Sequence, residues 1–171
     1  MYEVGLASTH DVPLLPDVER RACALFVTIP ALDGIPLDVT ELEELAVGQQ
    51  AGLLWVARDG GRPIGFALVE PLGDGLHLEE LDVLPEHGGK GVGRALLRKV
   101  CRYAAARRQA LTLTTFRDVP WNAPFYSRAG FRILEAGELS PALAERMADE
   151  AARGLGGTEL RVAMRFDESE P

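Results

Sequence analysis

Apolar and polar positions alternate in two rhythms along this chain, and each switch of rhythm marks an element. Residues 2–7 alternate with the period of two expected of a strand. Residues 11–26 follow the helical period, with Leu14, Leu15, Val18, Ala22 and Leu25 forming one stripe. Prolines and a glycine make residues 29–36 a loop. Thr40 then stands as an N-cap, with Glu43 at the capping-box position, so a helix is expected to open there. Residues 53–58, 63–69 and 76–84 read as three strands, joined by Asp59-Gly60-Gly61 and Gly73-Asp74-Gly75 into an antiparallel meander. A long helix is expected over residues 92–108 and a strand over 111–116. A short helix follows over 121–129, then a strand over 131–135, a helix over 141–153 and a last strand over 158–166. Strands and helices interleaved in this way describe an α/β domain.

The 171 residues suffice for one well-filled core, so a single domain over 1–171 is expected. No apolar stretch approaches the roughly 20 residues that span a bilayer. Met1-Tyr2-Glu3-Val4 lacks the basic and apolar blocks of a secretory leader. Cys23 and Cys101 stand far apart in apolar runs, which suits buried small hydrophobes better than a disulfide or metal site. The expectation is a cytoplasmic protein with no membrane partner and no metal. The net charge of -8, without a basic stripe, argues against a nucleic-acid partner and suits a cationic substrate.

The chemistry concentrates in two blocks. The first runs from His77 through Glu79, Leu81, Val83 and Pro85 into Gly88-Gly89-Lys90-Gly91-Val92-Gly93-Arg94. A strand thus leads through a glycine loop into a helix. Main-chain N–H groups at such a helix start have no partners within the helix. Together with the helix dipole they make a site for a phosphate or pyrophosphate, with Lys90 and Arg94 at its rim. Two familiar phosphate loops do not fit. Gly91 follows Lys90 where a P-loop needs Ser or Thr. Leu96 stands where a dinucleotide fingerprint needs its third glycine.

The second block is Val119-Pro120-Trp121-Asn122-Ala123-Pro124-Phe125-Tyr126-Ser127-Arg128-Ala129-Gly130-Phe131. Asn122 and Tyr126 are four residues apart and so would share a helical face. With both blocks in this order, the chain resembles the GCN5-related N-acetyltransferase (GNAT) superfamily over nearly its whole length. Two positions depart from that family's pattern. Gly88 stands where Gln or Arg is usual, and Val119 where many members carry Asn.

The resemblance implies an α/β (α+β) fold, with a central, mixed, mostly antiparallel sheet of about seven strands and helices on both faces. It implies acetyl-CoA as cosubstrate, an amine as acceptor, and leaves room for a homodimer. The main chain at Leu81 and Val83 would pair with the pantetheine arm, and residues 88–94 would hold the pyrophosphate. Asn122 would take over part of the contact missing at Val119. Tyr126 falls at the position of the family's general acid. A phenol of pKa about 10 can protonate a departing thiolate, whose thiol has a pKa of about 8.5. Strand alternation puts His77, Glu79 and Leu81 on one face and Leu78, Glu80 and Asp82 on the other. Glu79, directly or through water, is the favoured base for the acceptor amine, with His77 its partner or rival. Glu80 and Asp82 are expected to be surface charges. Two alternatives stand beside amine acetylation: a non-catalytic acyl-CoA-binding module, and transfer of a longer acyl group. The acceptor itself has no motif.

Overall fold

The computed structural model describes residues 1–167. They form a seven-stranded mixed sheet, in the order β1-β2-β3-β4-β5-β7-β6, flanked by helices. The strands are β1 (Tyr2–Leu6), β2 (Leu54–Asp59), β3 (Arg62–Leu72), β4 (Gly75–Val83), β5 (Leu111–Phe116), β6 (Phe131–Ile133) and β7 (Arg161–Phe166). The helices are α1 (Leu15–Cys23), α2 (Leu42–Gln50), α3 (Val92–Arg107), α4 (Ala123–Ser127) and α5 (Pro141–Ala152). The chain divides into two compact units, with breaks after His77 in β4 and after Arg102 in α3. Among the described residues, no helix is long and apolar enough to cross a membrane.

The first unit comprises residues 1–33, 37–70 and 78–102. Here β1 pairs antiparallel with β2, Val4 opposite Ala57, and β2 pairs antiparallel with β3, Val56 opposite Phe66. Leu54, Val56, Phe66, Leu68, Leu96 and Val100 fill its core. Truncating Phe66 to alanine would remove contacts worth about 3–5 kcal/mol. The expected helix over 11–26 is broken up. A 3-10 turn at Val12–Leu14 precedes α1, and another follows at Phe26–Thr28. Pro16 lies in the first turn of α1, where a missing N–H costs nothing. The buried face of α1 is Leu15, Val18, Glu19 and Ala22, so a carboxylate sits on an otherwise apolar stripe. Asp11 accepts hydrogen bonds from Ser8 and from two guanidinium nitrogens of Arg58.

The capping box does not form at α2. Glu41 is the N-cap and makes no side-chain capping bond. The N–H and hydroxyl of Thr40 both donate to Glu19 Oε1, each at 3.0 Å. A long-range carboxylate has taken the donors of the residue that local pattern assigned to the helix.

The second unit comprises residues 34–36, 71–77 and the described chain from 103 onward. Its strand β7 lies between β5 and β6 and pairs antiparallel with each, Met164 facing both Leu113 and Ile133. Leu111, Leu113, Leu143 and Met164 are fully buried. Ser140 caps α5 by accepting from the Leu143 N–H at 3.2 Å. The buried side of α5 includes Leu143 and Glu150, so this helix too carries a glutamate inward. Glu150 accepts from Thr114 Oγ1 at 2.5 Å and from Arg161 Nε at 2.9 Å. Helix α4 and strand β7 are shorter than their patterns suggested. Asn122 has non-helical dihedrals, so α4 begins only at Ala123, and Gly130 adopts the left-handed conformation just beyond its end. Residues 158–160 form a turn closed by Leu160 and Arg161 N–H groups on the Gly157 carbonyl, so β7 starts at Arg161.

Candidate active site

The segment after β4 makes two tight turns before α3. A 3-10 turn at Pro85–His87 is closed by the Gly88 N–H on the Pro85 carbonyl at 3.0 Å. Gly89 and Gly91 have φ of +71° and +82°. That left-handed region is costly for any residue with a Cβ, which explains glycine at these two positions. Gly88 has φ of -60°, but a Cβ there would stand 3.0 Å from the Pro85 carbonyl oxygen. The first α3 hydrogen bond runs from Ala95 N–H to the Gly91 carbonyl at 3.0 Å. The N–H groups of Val92, Gly93 and Arg94 consequently point out of the helix start, on the positive end of the dipole. Lys90 and Arg94 are exposed beside them, while the Val92 side chain anchors the turn in the core. The arrangement can bind an anion through main-chain groups alone.

Upstream, Leu81 and Val83 are half-buried on β4, and the strand stays paired to its end through Leu84 N–H on the Ile64 carbonyl at 2.9 Å. Glu79 is half-buried. His77 is buried completely, with Nδ1 3.0 Å from Thr112 Oγ1. The Thr112 hydroxyl donates to the Leu76 carbonyl at 3.3 Å, so its oxygen is left to accept from the imidazole. Burial brings the His77 pKa down to about 4, Arg161 lowering it further and Glu150 opposing. His77 is a neutral, interior side chain.

The other face of β4 corrects the expectation of surface charge. Asp82 is buried, Glu80 half-buried, and both meet Glu19 of α1, one carboxylate oxygen from each lying within 4.8 Å of the others. Burial, and then the charge of Glu19, push the Asp82 carboxyl up to about 8. Desolvation likewise raises Glu19, against the hydrogen bonds from Thr40. Cys23 borders the cluster, where burial and then the charges of Asp82, Glu80 and Glu19 push its thiol up to about 12. Glu19 was not singled out from the sequence. The available signal was its place on the stripe of Leu15, Val18 and Ala22, where an unpaired acid is anomalous.

In the second unit, Asn122 is the N-cap of α4. Its carbonyl accepts from Phe125 N–H at 2.8 Å and Tyr126 N–H at 3.1 Å. The expected shared helical face thus becomes a main-chain link between Asn122 and Tyr126. The Tyr126 ring is half-buried and set edge-on to Phe125 and Phe131, with centroids 5.1 and 5.8 Å away. These contacts fix the direction of the phenol.

Residues 50–133 match the family described as acetyltransferase (GNAT) domain, a span that holds both sequence blocks. Solved structures share the fold at low identity. The PaiA N-acetyltransferase of Thermoplasma acidophilum, in complex with coenzyme A, is 17% identical over 98% of this chain and 99% of that one, with a TM-score of 0.67. A GNAT-family acetyltransferase of Staphylococcus aureus is 15% identical over 98% of this chain and 100% of its own, with a TM-score of 0.70. One from Brucella melitensis, in complex with acetyl-CoA, is 19% identical over 82% of this chain and 92% of that one, with a TM-score of 0.59. The glycine turn into α3 and the strand before it lie inside the matched span, and the fold is that of GNAT acetyltransferases.

Proposed function

We propose that this protein is an N-acetyltransferase that moves the acetyl group of acetyl-CoA onto a primary amine by direct attack. The observation that carries the proposal is the pair of left-handed glycines, Gly89 and Gly91, feeding the open N-terminus of α3. Main-chain amides within residues 88–94 hold the pyrophosphate, apart from the Gly88 N–H that closes the turn on Pro85, with Lys90 and Arg94 adding charge. The main chain at Leu81 and Val83 takes the pantetheine arm, and Asn122 adds a polar contact to the cosubstrate.

The acceptor reaches the enzyme as an ammonium ion, whose pKa of about 10.4 must be overcome by a base. Glu79, directly or through water, takes that proton. The buried, Thr112-bonded setting of His77 supports giving the role to Glu79. The amine nitrogen then attacks the thioester carbonyl carbon, and the carbonyl electron pair moves to oxygen. A main-chain N–H near Val83 stabilises that oxyanion. As the carbonyl re-forms, the C–S bond breaks, and the phenol of Tyr126 gives its proton to sulfur. The second proton leaves the attacking nitrogen to solvent, Glu79 releases its own proton there, and Tyr126 is reprotonated, so the products are the N-acetyl amine, coenzyme A and one proton.

Thiol release from acetyl-CoA across a panel of primary amines, with mass detection of the acetylated product, tests the proposal. One thiol should appear per acetyl group transferred, and Tyr126→Phe should slow turnover about 100-fold while leaving CoA affinity intact. Tight CoA binding without thiol release for any amine would leave a binding module in place of an enzyme.

A further inference from the structure

Strand β3 holds a glycine that its own backbone does not require. Gly65 is buried and lies outside the left-handed region that explains Gly89 and Gly91. A glycine inside a strand gives up packing and chain entropy, and is kept where another backbone comes close. A Cβ at position 65 would stand 2.7 Å from the Asp82 carbonyl oxygen, 3.1 Å from Val83 Cγ2 and 3.3 Å from Val83 Cα. These nearest atoms all belong to β4, so the requirement comes from that strand and not from a helix packed on the sheet. The main chain at Asp82–Val83 occupies the space of the missing side chain. The register of β3 shifts at the same place. Ala57 of β2 faces Gly65, Arg58 faces Pro63, and Ile64 is the extra residue between them. Such a bulge bends a strand and re-aims what it carries. The Ile64 carbonyl accepts the Leu84 N–H. Successive N–H groups point to opposite edges of a strand, so the Val83 N–H points away from β3. The peptide plane agrees. The Asp82 carbonyl oxygen lies against β3, and in a trans peptide the next N–H points the other way.

We propose that Gly65 is a positioning residue for acetyl transfer. By carrying no side chain it lets the Asp82–Val83 peptide seat against β3, which fixes the direction of the Val83 N–H toward the thioester carbonyl. This rests on the transferase function proposed above, in which a main-chain N–H of this segment meets the developing oxyanion. Gly65 touches no reactant and acts through β4. A methyl group at 65 cannot be absorbed by a flexible side-chain end, because its nearest neighbour is a main-chain oxygen. The peptide itself must shift. A misplacement of about 1 Å in a reacting site can cost on the order of 100-fold in rate, and a smaller shift of an oxyanion donor costs part of that.

The full chain is tested as Gly65→Ala, with acetyl-CoA, the best acceptor of the amine panel, and 3′-phospho-ADP, the nucleotide half of coenzyme A. The variant's kcat should fall about tenfold or more, with its affinity for the nucleotide half unchanged. Phe66→Leu, which thins the core on the other face of β3, should lower stability and keep kcat. Wild-type kcat in Gly65→Ala would overturn the proposal, as would an equal loss of nucleotide-half binding, the mark of a general disturbance. If Gly65→Ala does not fold, adding Val83→Ala removes the Cγ2 contact and keeps the one with the Asp82 oxygen. That double variant should turn over about tenfold more slowly than Val83→Ala alone, and equal rates would overturn the proposal. Should the wild type release no thiol with any amine, the transferase function fails, and amide exchange with coenzyme A present decides the positioning. The Val83 N–H should then exchange about tenfold faster in Gly65→Ala than in wild type, and equal exchange would overturn the proposal.

Discussion

His77 Nδ1 and Thr112 Oγ1 lie 3.0 Å apart in the interior of the second unit, with the same hydroxyl reaching the Leu76 carbonyl. The pair holds the start of β4 to β5 and keeps the imidazole neutral. The folded pKa of about 4 lies below the ordinary value of 6.5, so between them the unfolded chain binds more protons. His77 thus contributes stability that is present above pH 6.5 and lost as pH falls toward 4. Urea midpoints of wild type and His77→Gln should converge over that range, as the variant lacks this loss.

Asp82 should show the opposite sign. Its folded pKa is raised, to about 8 from 3.8, so the folded state binds more protons between these values. The wild-type chain loses stability here as pH rises. Asp82→Asn, which cannot ionise, should gain stability relative to wild type across that window, with Glu19 still present. A melting series from pH 5 to 8 checks this, and a gap that narrows with rising pH would contradict it.

The Arg161–Glu150 pair is buried on both sides, with side chains 12% and 8% exposed. Arg161→Met leaves Glu150 without its cation and should cost about 3–5 kcal/mol in urea unfolding. Adding Glu150→Leu should recover much of that loss, because the penalty belongs to the stranded charge rather than to the missing bridge. The coupling is read from a double-mutant cycle.

Catalysis separates the two candidates for the base. Glu79→Gln should lower kcat about 100-fold or more, with little change in CoA affinity. His77→Gln should leave kcat near wild type once the protein is folded. Initial rates at saturating acetyl-CoA check both.

Much of this architecture was legible because it is local. The period of two marked β5 at its observed bounds, residues 111–116, and the glycine turns separated β2, β3 and β4. The left-handed turn into α3 was legible for the same reason, since Gly89 and Gly91 announce it themselves. What was missed depends on contacts distant in sequence. Thr40 looked like a cap because Glu43 follows it, but its donors go to Glu19, 21 residues earlier. Asp82 looked solvated because a strand's polar face usually is, and only the packing of α1 makes it interior. The end of α4 was marked by Gly130, whereas its start depended on the non-helical dihedrals of Asn122.

The left-handed turn gives a backbone test. Gly91→Ala imposes a Cβ at φ of +82° and should cost about 1–2 kcal/mol in the turn while weakening CoA binding. Gly88→Gln, at φ of -60°, should cost less, its Cβ meeting only the Pro85 carbonyl oxygen at 3.0 Å, and should keep its CoA affinity.

Calorimetric titration of the wild-type chain with coenzyme A and, separately, with pantetheine probes the diphosphate grip most directly. The prediction is saturable binding of coenzyme A at one site and much weaker binding of pantetheine, which lacks the diphosphate. No heat with coenzyme A, or pantetheine binding as tightly, would contradict it.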